Sequence, residues 1–219
     1  MSRLFTVIDA EQRSIEWFAA RCGRLTGSAA SAMFAKGRGN DEAAARRDLR
    51  TKLAIERLTG VPQEDDYQNA DMRRGVELEP EAFGAYEAAA GEMLDRTGFL
   101  SHNEMLIGCS LDGHVGDFEG IVELKVPRSA NHLRYLRTGG VPAEHKVQIT
   151  HNLYVSGAKW CDFVSYDPRF PEPLRLFRAR VFAKGDEMQS YALVVSSFLT
   201  EVEKEIEAIQ ALMPAGAAA

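Results

Sequence analysis

Within residues 108–127, the carboxylates of Asp112 and Glu123 and the ammonium of Lys125 stand at a spacing that suits phosphate chemistry. Asp112 stands ahead of a glycine-rich turn, and Glu123 and Lys125 follow on an apolar run. Side chains in a strand alternate faces, so Glu123 and Lys125 project together while Leu124 points the other way into a core. A hairpin folded around residues 114–120 would set Asp112 beside Glu123. Two hard oxygen donors next to one cation can hold Mg²⁺ or Mn²⁺ and activate a water against a phosphodiester. An amphipathic strand can equally carry Glu-x-Lys on a solvent face, with Asp112 as an ordinary cross-strand neighbour. Ile121, Leu124 and Val126 place the charges at a core margin, and Cys109 and Ser110 leave room for a ligand near Asp112.

Such a stretch needs a sheet to hold it. Strand-like segments fall at 93–100, 105–111, 118–126, 160–166 and 174–182, the last two bracketing a turn at 167–171. Helical patterns cover 11–21, 28–34, 41–58, 69–90, 129–137, 143–155 and 185–213. Ser28 and Asp41 are the expected caps of the second and third. Pro80 should kink the fourth or begin a new helix. Residues 60–66 form an acidic loop, and the tail 214–219 is expected to fray. The order predicts an α/β fold, a mixed central sheet flanked by helices. One domain spans 1–219: a helical N-terminal region over 1–90, a sheet core over 91–182 and a C-terminal helix over 185–213.

Composition narrows the function. At 219 residues the chain suits one substantial domain. No apolar run approaches the roughly 20 residues that span a bilayer. The N-terminus lacks a secretory signal, so a cytosolic protein without a membrane role is expected. Three scattered cysteines, Cys22, Cys109 and Cys161, exclude a four-thiolate iron–sulfur cluster and show no zinc spacing. A net charge of −6 argues against a protein that coats nucleic acid non-specifically. Basic residues crowd the N-terminal quarter (Arg21, Arg24, Lys36, Arg38, Arg46, Arg47, Arg50), and acidic ones dominate 201–207. These are either segregated charge for a nucleic-acid partner or two solvated helix faces of opposite sign.

Five segments in a fixed order carry a resemblance: residues 17–28 (Trp-Phe-Ala-Ala-Arg-Cys-Gly-Arg-Leu-Thr-Gly-Ser), 74–79 (Arg-Gly-Val-Glu-Leu-Glu), 109–113 (Cys-Ser-Leu-Asp-Gly), 122–127 (Val-Glu-Leu-Lys-Val-Pro), and Gln148 followed by 166–169 (Tyr-Asp-Pro-Arg). Together the chain resembles the lambda-type phage recombination exonucleases, the YqaJ-like viral recombinases of the restriction-endonuclease-like PD-(D/E)XK superfamily. The resemblance implies a restriction-endonuclease-like fold and a ring-shaped homotrimer around DNA. It implies Mg²⁺-dependent 5′-to-3′ digestion of one strand of a duplex from its end to mononucleotides. It also implies a single-strand annealing protein as partner and a phage or prophage origin within a bacterial cytoplasm.

Site roles follow the same resemblance. Asp112, Glu123 and Glu79 match metal-binding carboxylates for one or two Mg²⁺ ions, with the Leu124 carbonyl as a further ligand. Lys125 matches the residue that positions or deprotonates the attacking water. Arg21, Thr26 and Ser28 match a 5′-phosphate pocket, to which Ser110 adds a hydroxyl. Its physics is general, since an Arg fork and hydroxyls at a helix start favour an anion. Gln148, a DNA-binding residue by the resemblance, keeps the first amide of a Gln-x-Gln pair; the second position is Thr150, followed by His151, and either could replace it. Arg74 replaces an aromatic and would meet phosphate or solvent. His114 reads as a turn residue. Another nuclease of the superfamily, an endonuclease or a 3′-to-5′ exonuclease, and a non-catalytic DNA-end-binding scaffold are the competing readings.

Overall fold

The computed structural model describes residues 3–39, 41–63 and 70–212. The start of the helix expected from 69, the end of that expected to 213, most of the acidic loop and the tail lie outside them. Two four-stranded mixed sheets form the frame. The first contains β1 (Phe5–Ile8), β2 (Leu25–Thr26), β3 (Phe99–His102) and β4 (Ile107–Ser110), in the order β1-β3-β4-β2. The second runs in sequence order: β5 (Gly113–Val115), β6 (Gly120–Lys125), β7 (Trp160–Tyr166) and β8 (Leu176–Phe182). The mixed α/β architecture expected from the sequence holds, with its strands shared between two sheets. The chain leaves the first sheet and enters the second through Leu111 and Asp112.

Six α-helices pack around this frame: α1 (Ile15–Arg21), α2 (Ala44–Thr59), α3 (Ala70–Ala90), α4 (Ser129–Thr138), α5 (Ala143–Ser156) and α6 (Gly185–Gln210). Ser14 caps α1 by accepting from the Trp17 N–H at 3.1 Å. Asp41 does not cap α2, whose cap position is Ala43. Pro80 lies inside α3. Pro80 costs α3 a single backbone donor there, and the packing of Ala82 and Tyr86 beyond it offsets that loss. Helices α4 and α5 form the crossover joining the parallel neighbours β6 and β7. No helix among the described residues is long and apolar enough to cross a membrane.

The second sheet divides the core in two. On one face Val122, Leu124, Val164 and Tyr166 pack against Ala82 and Tyr86 of α3. On the other, Ile121, Cys161, Phe163 and Phe177 join the larger core beneath α2, α5 and α6. The basic and acidic clusters of the sequence meet each other across α2 and α6. Arg46 makes a two-pronged contact with Glu201 at 2.6 and 2.9 Å, Arg50 reaches Glu205 at 3.2 Å, and Arg57 reaches Glu203 at 2.5 Å. Those arginines staple two helices, which removes them from the set available to a nucleic acid.

Asp167 is a second anchor. Its side chain is buried and accepts from Arg169 Nε and Nη2 at 2.8 Å each, from Ser129 Oγ at 2.7 Å and from Arg74 Nη2 at 3.3 Å. Arg74 also donates to the Pro127 carbonyl at 2.7 Å. Arg74 therefore ties α3 to the exit of β6 in place of the phosphate or solvent contact expected of it. Burial opposes the Asp167 charge, but the bonds from Arg169 and Ser129 outweigh it and hold the carboxyl well below the usual carboxylate range. A depressed folded-state pKa gives stability that is present above the unfolded value and lost as pH falls. Asp167→Asn should lower unfolding free energy by about 3 kcal/mol at neutral pH, the cost of stripping a buried ion pair. In urea unfolding across a pH series, the gap from wild type should close as pH drops below about 4.

Candidate active site

Strand β6 carries the site because its alternation splits the Glu123–Leu124–Lys125 run. Leu124 goes under α3, and Glu123 and Lys125 face α5. Gly113 pairs with Val122 in the β5–β6 hairpin, and the next step of that register sets Asp112 beside Glu123. Asp112 Oδ2 accepts from the Leu124 backbone N–H at 2.6 Å. The hairpin expected from the sequence therefore forms, and it brings Asp112, Glu123 and Lys125 together.

Glu123 is a carboxylate set into a core, only 2% exposed. Its Oε1 accepts from Gln148 Nε2 at 2.7 Å and pairs with the Lys125 ammonium. Its Oε2 accepts from Asn152 Nδ2 at 3.1 Å. Burial pushes the Glu123 carboxyl up to about 6, against the pull of Lys125 and with the push of Asp112. Burial also works against the Lys125 ammonium, but Glu123 and Asp112 outweigh it and its pKa is raised. In this arrangement the two carboxylates favour the ammonium form of Lys125.

Two clefts open onto this centre, both walled by Val76 and Glu79 of α3. One, of 540 Å³, reaches Asp112 between Arg96 and the segment around Arg13. The other, of 470 Å³, exposes Lys125 and Leu124 beside His145. Burial and the nearby Lys125 hold the His145 imidazole down at about 4, so it is neutral at physiological pH. Glu79 faces the site without joining it: its carboxylate is paired with Arg96 at 2.9 Å. Among the described residues no group of three or more His, Cys, Asp or Glu side chains is drawn together as a metal site. Two carboxylates converge, and the third stands across the cleft.

Of the expected phosphate-binding residues, Ser110 ends β4, Thr26 pairs beside it, and Arg21 approaches Ser110 through Trp17. Arg21, in the last turn of α1, lies 4.0 Å from the Trp17 ring centroid, and the Trp17 indole N–H donates to Ser110 Oγ at 2.8 Å. Thr26 is buried and pairs with Gly108 across β2 and β4. Ser28 is exposed and does not begin a helix. The next element is a five-residue 3₁₀ turn, Ala30–Phe34, whose cap position is Ala29. No helix start therefore favours an anion at Thr26 or Ser28, because Thr26 is in a strand and the turn is too short to carry a useful dipole.

Gln148 reaches Glu123 rather than standing free for DNA. Neither Thr150 nor His151 supplies a second amide contact. Thr150 Oγ1 approaches Glu187 at 3.5 Å, and His151 is buried between the Tyr191 hydroxyl (2.7 Å) and the Gly108 carbonyl (3.0 Å). The second amide comes from Asn152. It sits one helical turn beyond Gln148, so both project from the same face of α5. That Gln-x-x-x-Asn spacing was the only signal in the sequence for it. His114 lies in β5, paired with Ile121, rather than in the turn: Nδ1 lies 3.0 Å from the Gly116 carbonyl and its ring stacks on Phe118.

Fold and site define a mixed α/β protein with a two-carboxylate, one-lysine centre where its two sheets meet. The model of the YqaJ-like viral recombinase domain matches residues 16–159. The chain belongs to that family. Among solved structures it is similar to an alkaline exonuclease, LHK-Exo, from Laribacter hongkongensis, at 36% identity with a TM-score of 0.80, covering 90% of this chain and 96% of that one. A crystal structure of LHK-Exo in complex with dAMP matches equally well. A phage-related exonuclease from Haemophilus somnus 129PT shares the fold at 14% identity, with a TM-score of 0.63 over 85% of this chain and 96% of that one. No curated protein matches.

Proposed function

We propose that this chain is a Mg²⁺-dependent exodeoxyribonuclease. It digests one strand of a linear duplex from the 5′ end, releases mononucleotides and leaves single-stranded DNA for a strand-annealing partner. The observation that carries this reading is the convergence of Asp112, Glu123 and Lys125 on one hairpin, with Asp112 lining one cleft and Lys125 the other. The exonuclease activity of LHK-Exo, and its complex with a mononucleotide, support the same reaction here.

The residues fit a hard divalent cation. Asp112, Glu123 and the Leu124 carbonyl offer oxygen only, and Glu123 is a buried carboxylate facing a second one, an arrangement that a cation would relieve. Glu79 would complete the set on leaving Arg96. Bound Mg²⁺, or Mn²⁺ in its place, would polarise the scissile phosphate and lower the pKa of a bound water. Lys125 orients the attacking water and balances charge on the phosphoryl oxygens as the water oxygen bonds to phosphorus and the P–O3′ bond breaks, the water's proton passing to solvent and solvent protonating the departing 3′ oxygen. Gln148 holds the Glu123 carboxylate in place. Arg21, Thr26, Ser28 and Ser110 together receive the terminal 5′-phosphate, so one nucleotide is released per step. A closed homotrimer would let an acidic protein handle DNA by turning basic groups inward. Sedimentation that finds only monomers at working concentration would remove the ring. The setting is the cytoplasm of a bacterial host carrying the phage or prophage.

Digestion of a linear duplex labelled separately at each end, with Mg²⁺ and with EDTA, tests activity, polarity and metal dependence together. Loss of the 3′ label first would overturn the polarity. Arg21→Ala should slow digestion of 5′-phosphorylated duplex by about 10- to 100-fold, as expected for a charged hydrogen bond worth roughly 1.5–3 kcal/mol. It should also erase the preference over 5′-hydroxyl duplex in a side-by-side rate measurement.

A further inference from the structure

Asn152 is buried, 1% exposed, and stands between two parts of the proposed site. Its Nδ2 donates to Glu123 Oε2 at 3.1 Å, while its Oδ1 is buried with no hydrogen-bond partner among the described residues. Oδ1 presses on Gly27, which lies between Thr26 and Ser28. A Cβ at Gly27 would lie 2.3 Å from Asn152 Oδ1 and 3.3 Å from its Cγ. Gly27 does not have a left-handed φ, so the demand for glycine is steric. The amide cannot retreat freely either, since turning it away would strip Glu123 of a donor.

We propose that Asn152 is a positioning residue. It wedges between the Thr26–Gly27–Ser28 turn and Glu123 and fixes the Glu123 carboxylate for metal binding. This inference rests on the proposed metal role of Glu123. It makes Gly27 a component of the same device: any side chain there pushes the Asn152 amide off the carboxylate. Partners that orient a metal ligand typically contribute about 10- to 100-fold in affinity or activity.

A double-mutant cycle tests it, read by Mn²⁺ binding without DNA (electron paramagnetic resonance of the free ion) and by duplex digestion. Gly27→Ala and Asn152→Ala should each weaken Mn²⁺ binding by about tenfold. The double variant should bind no worse than Asn152→Ala alone, because removing the amide removes what Gly27→Ala collides with. Additive losses, or an Asn152→Ala protein that binds Mn²⁺ like the wild type, would overturn the proposal. Thermal unfolding confirms that each variant is folded; if Asn152→Ala is not, Asn152→Ser, too short to reach Glu123, carries the same expectation. A wild type that binds Mn²⁺ through Glu123 yet leaves duplex ends intact would sink the exonuclease reading while the Asn152 cycle still decides this one. A wild type whose Mn²⁺ binding is untouched by Glu123→Gln would overturn both.

Discussion

Asp112→Asn should reduce duplex digestion by a factor on the order of 10³ or more, since metal-centred charge stabilisation contributes several kcal/mol to such reactions. The substitution keeps the shape of the side chain and the oxygen that accepts from the Leu124 N–H, so the β5–β6 hairpin should survive. It removes one of the two negative charges that face each other at the sheet junction. Because Asp112 helps to push the Glu123 pKa up, the neutral variant should also fold at least as stably as the parent in metal-free buffer. Duplex-end binding, measured by fluorescence anisotropy in Ca²⁺ or EDTA, should change little. Undiminished hydrolysis would place the active centre elsewhere. Lost binding together with lost stability would mean that Asp112 is a structural residue of the hairpin.

Lys125→Met should lower the turnover number by about 10²- to 10³-fold, the range for removing one preorganised group that faces developing charge. Methionine retains the aliphatic stem that lines the cleft beside His145 and removes only the ammonium. The loss should fall on kcat rather than on the KM for DNA ends, because the charge acts where the phosphoryl oxygens gain it. Lys125→Arg should recover only some of the activity, since a planar fork cannot occupy the place of a compact ammonium against Glu123. Had Lys125 acted as a base, its pKa would need to fall, yet the two carboxylates raise it. A pH–rate profile with a lysine-like limb near neutrality would overturn the fixed-cation reading.

Glu123 and Asp167 show two ways in which a buried carboxylate is tolerated. Asp167 collects a two-pronged arginine, a hydroxyl and a backbone N–H, and these hold it ionised. Glu123 receives two side-chain amides and one ammonium while facing a second carboxylate, so its charge remains under-compensated. The first arrangement serves the fold, binding α3, α4 and the exit of β6. The second is the electrostatic condition for taking up a cation.

Local rules were enough to read the hairpin, the face shared by Glu123 and Lys125, the strand over Trp160–Tyr166 and the long helices. Two-residue and 3.6-residue periodicities, and glycines at turns, are written into adjacent positions. The short strands β1 and β2 escaped that reading. Four and two residues long, they are strands only because β3 and β4 offer them partners far along the chain. The same limit applied to the site. The resemblance gave Asp112, Glu123, Lys125 and Gln148 by register, but the grip of Asn152 on Glu123, the Arg96 partner of Glu79 and the diversion of Arg74 to Asp167 were invisible. The basic cluster likewise gave no sign that Arg46 and Arg50 would be spent on α6. Which groups could do chemistry was settled by residue type and spacing, because these set the local geometry of a strand or helix. Which charges are buried, paired or left facing a cleft was decided only by the folded chain, because that depends on what distant segments bring within a few ångströms.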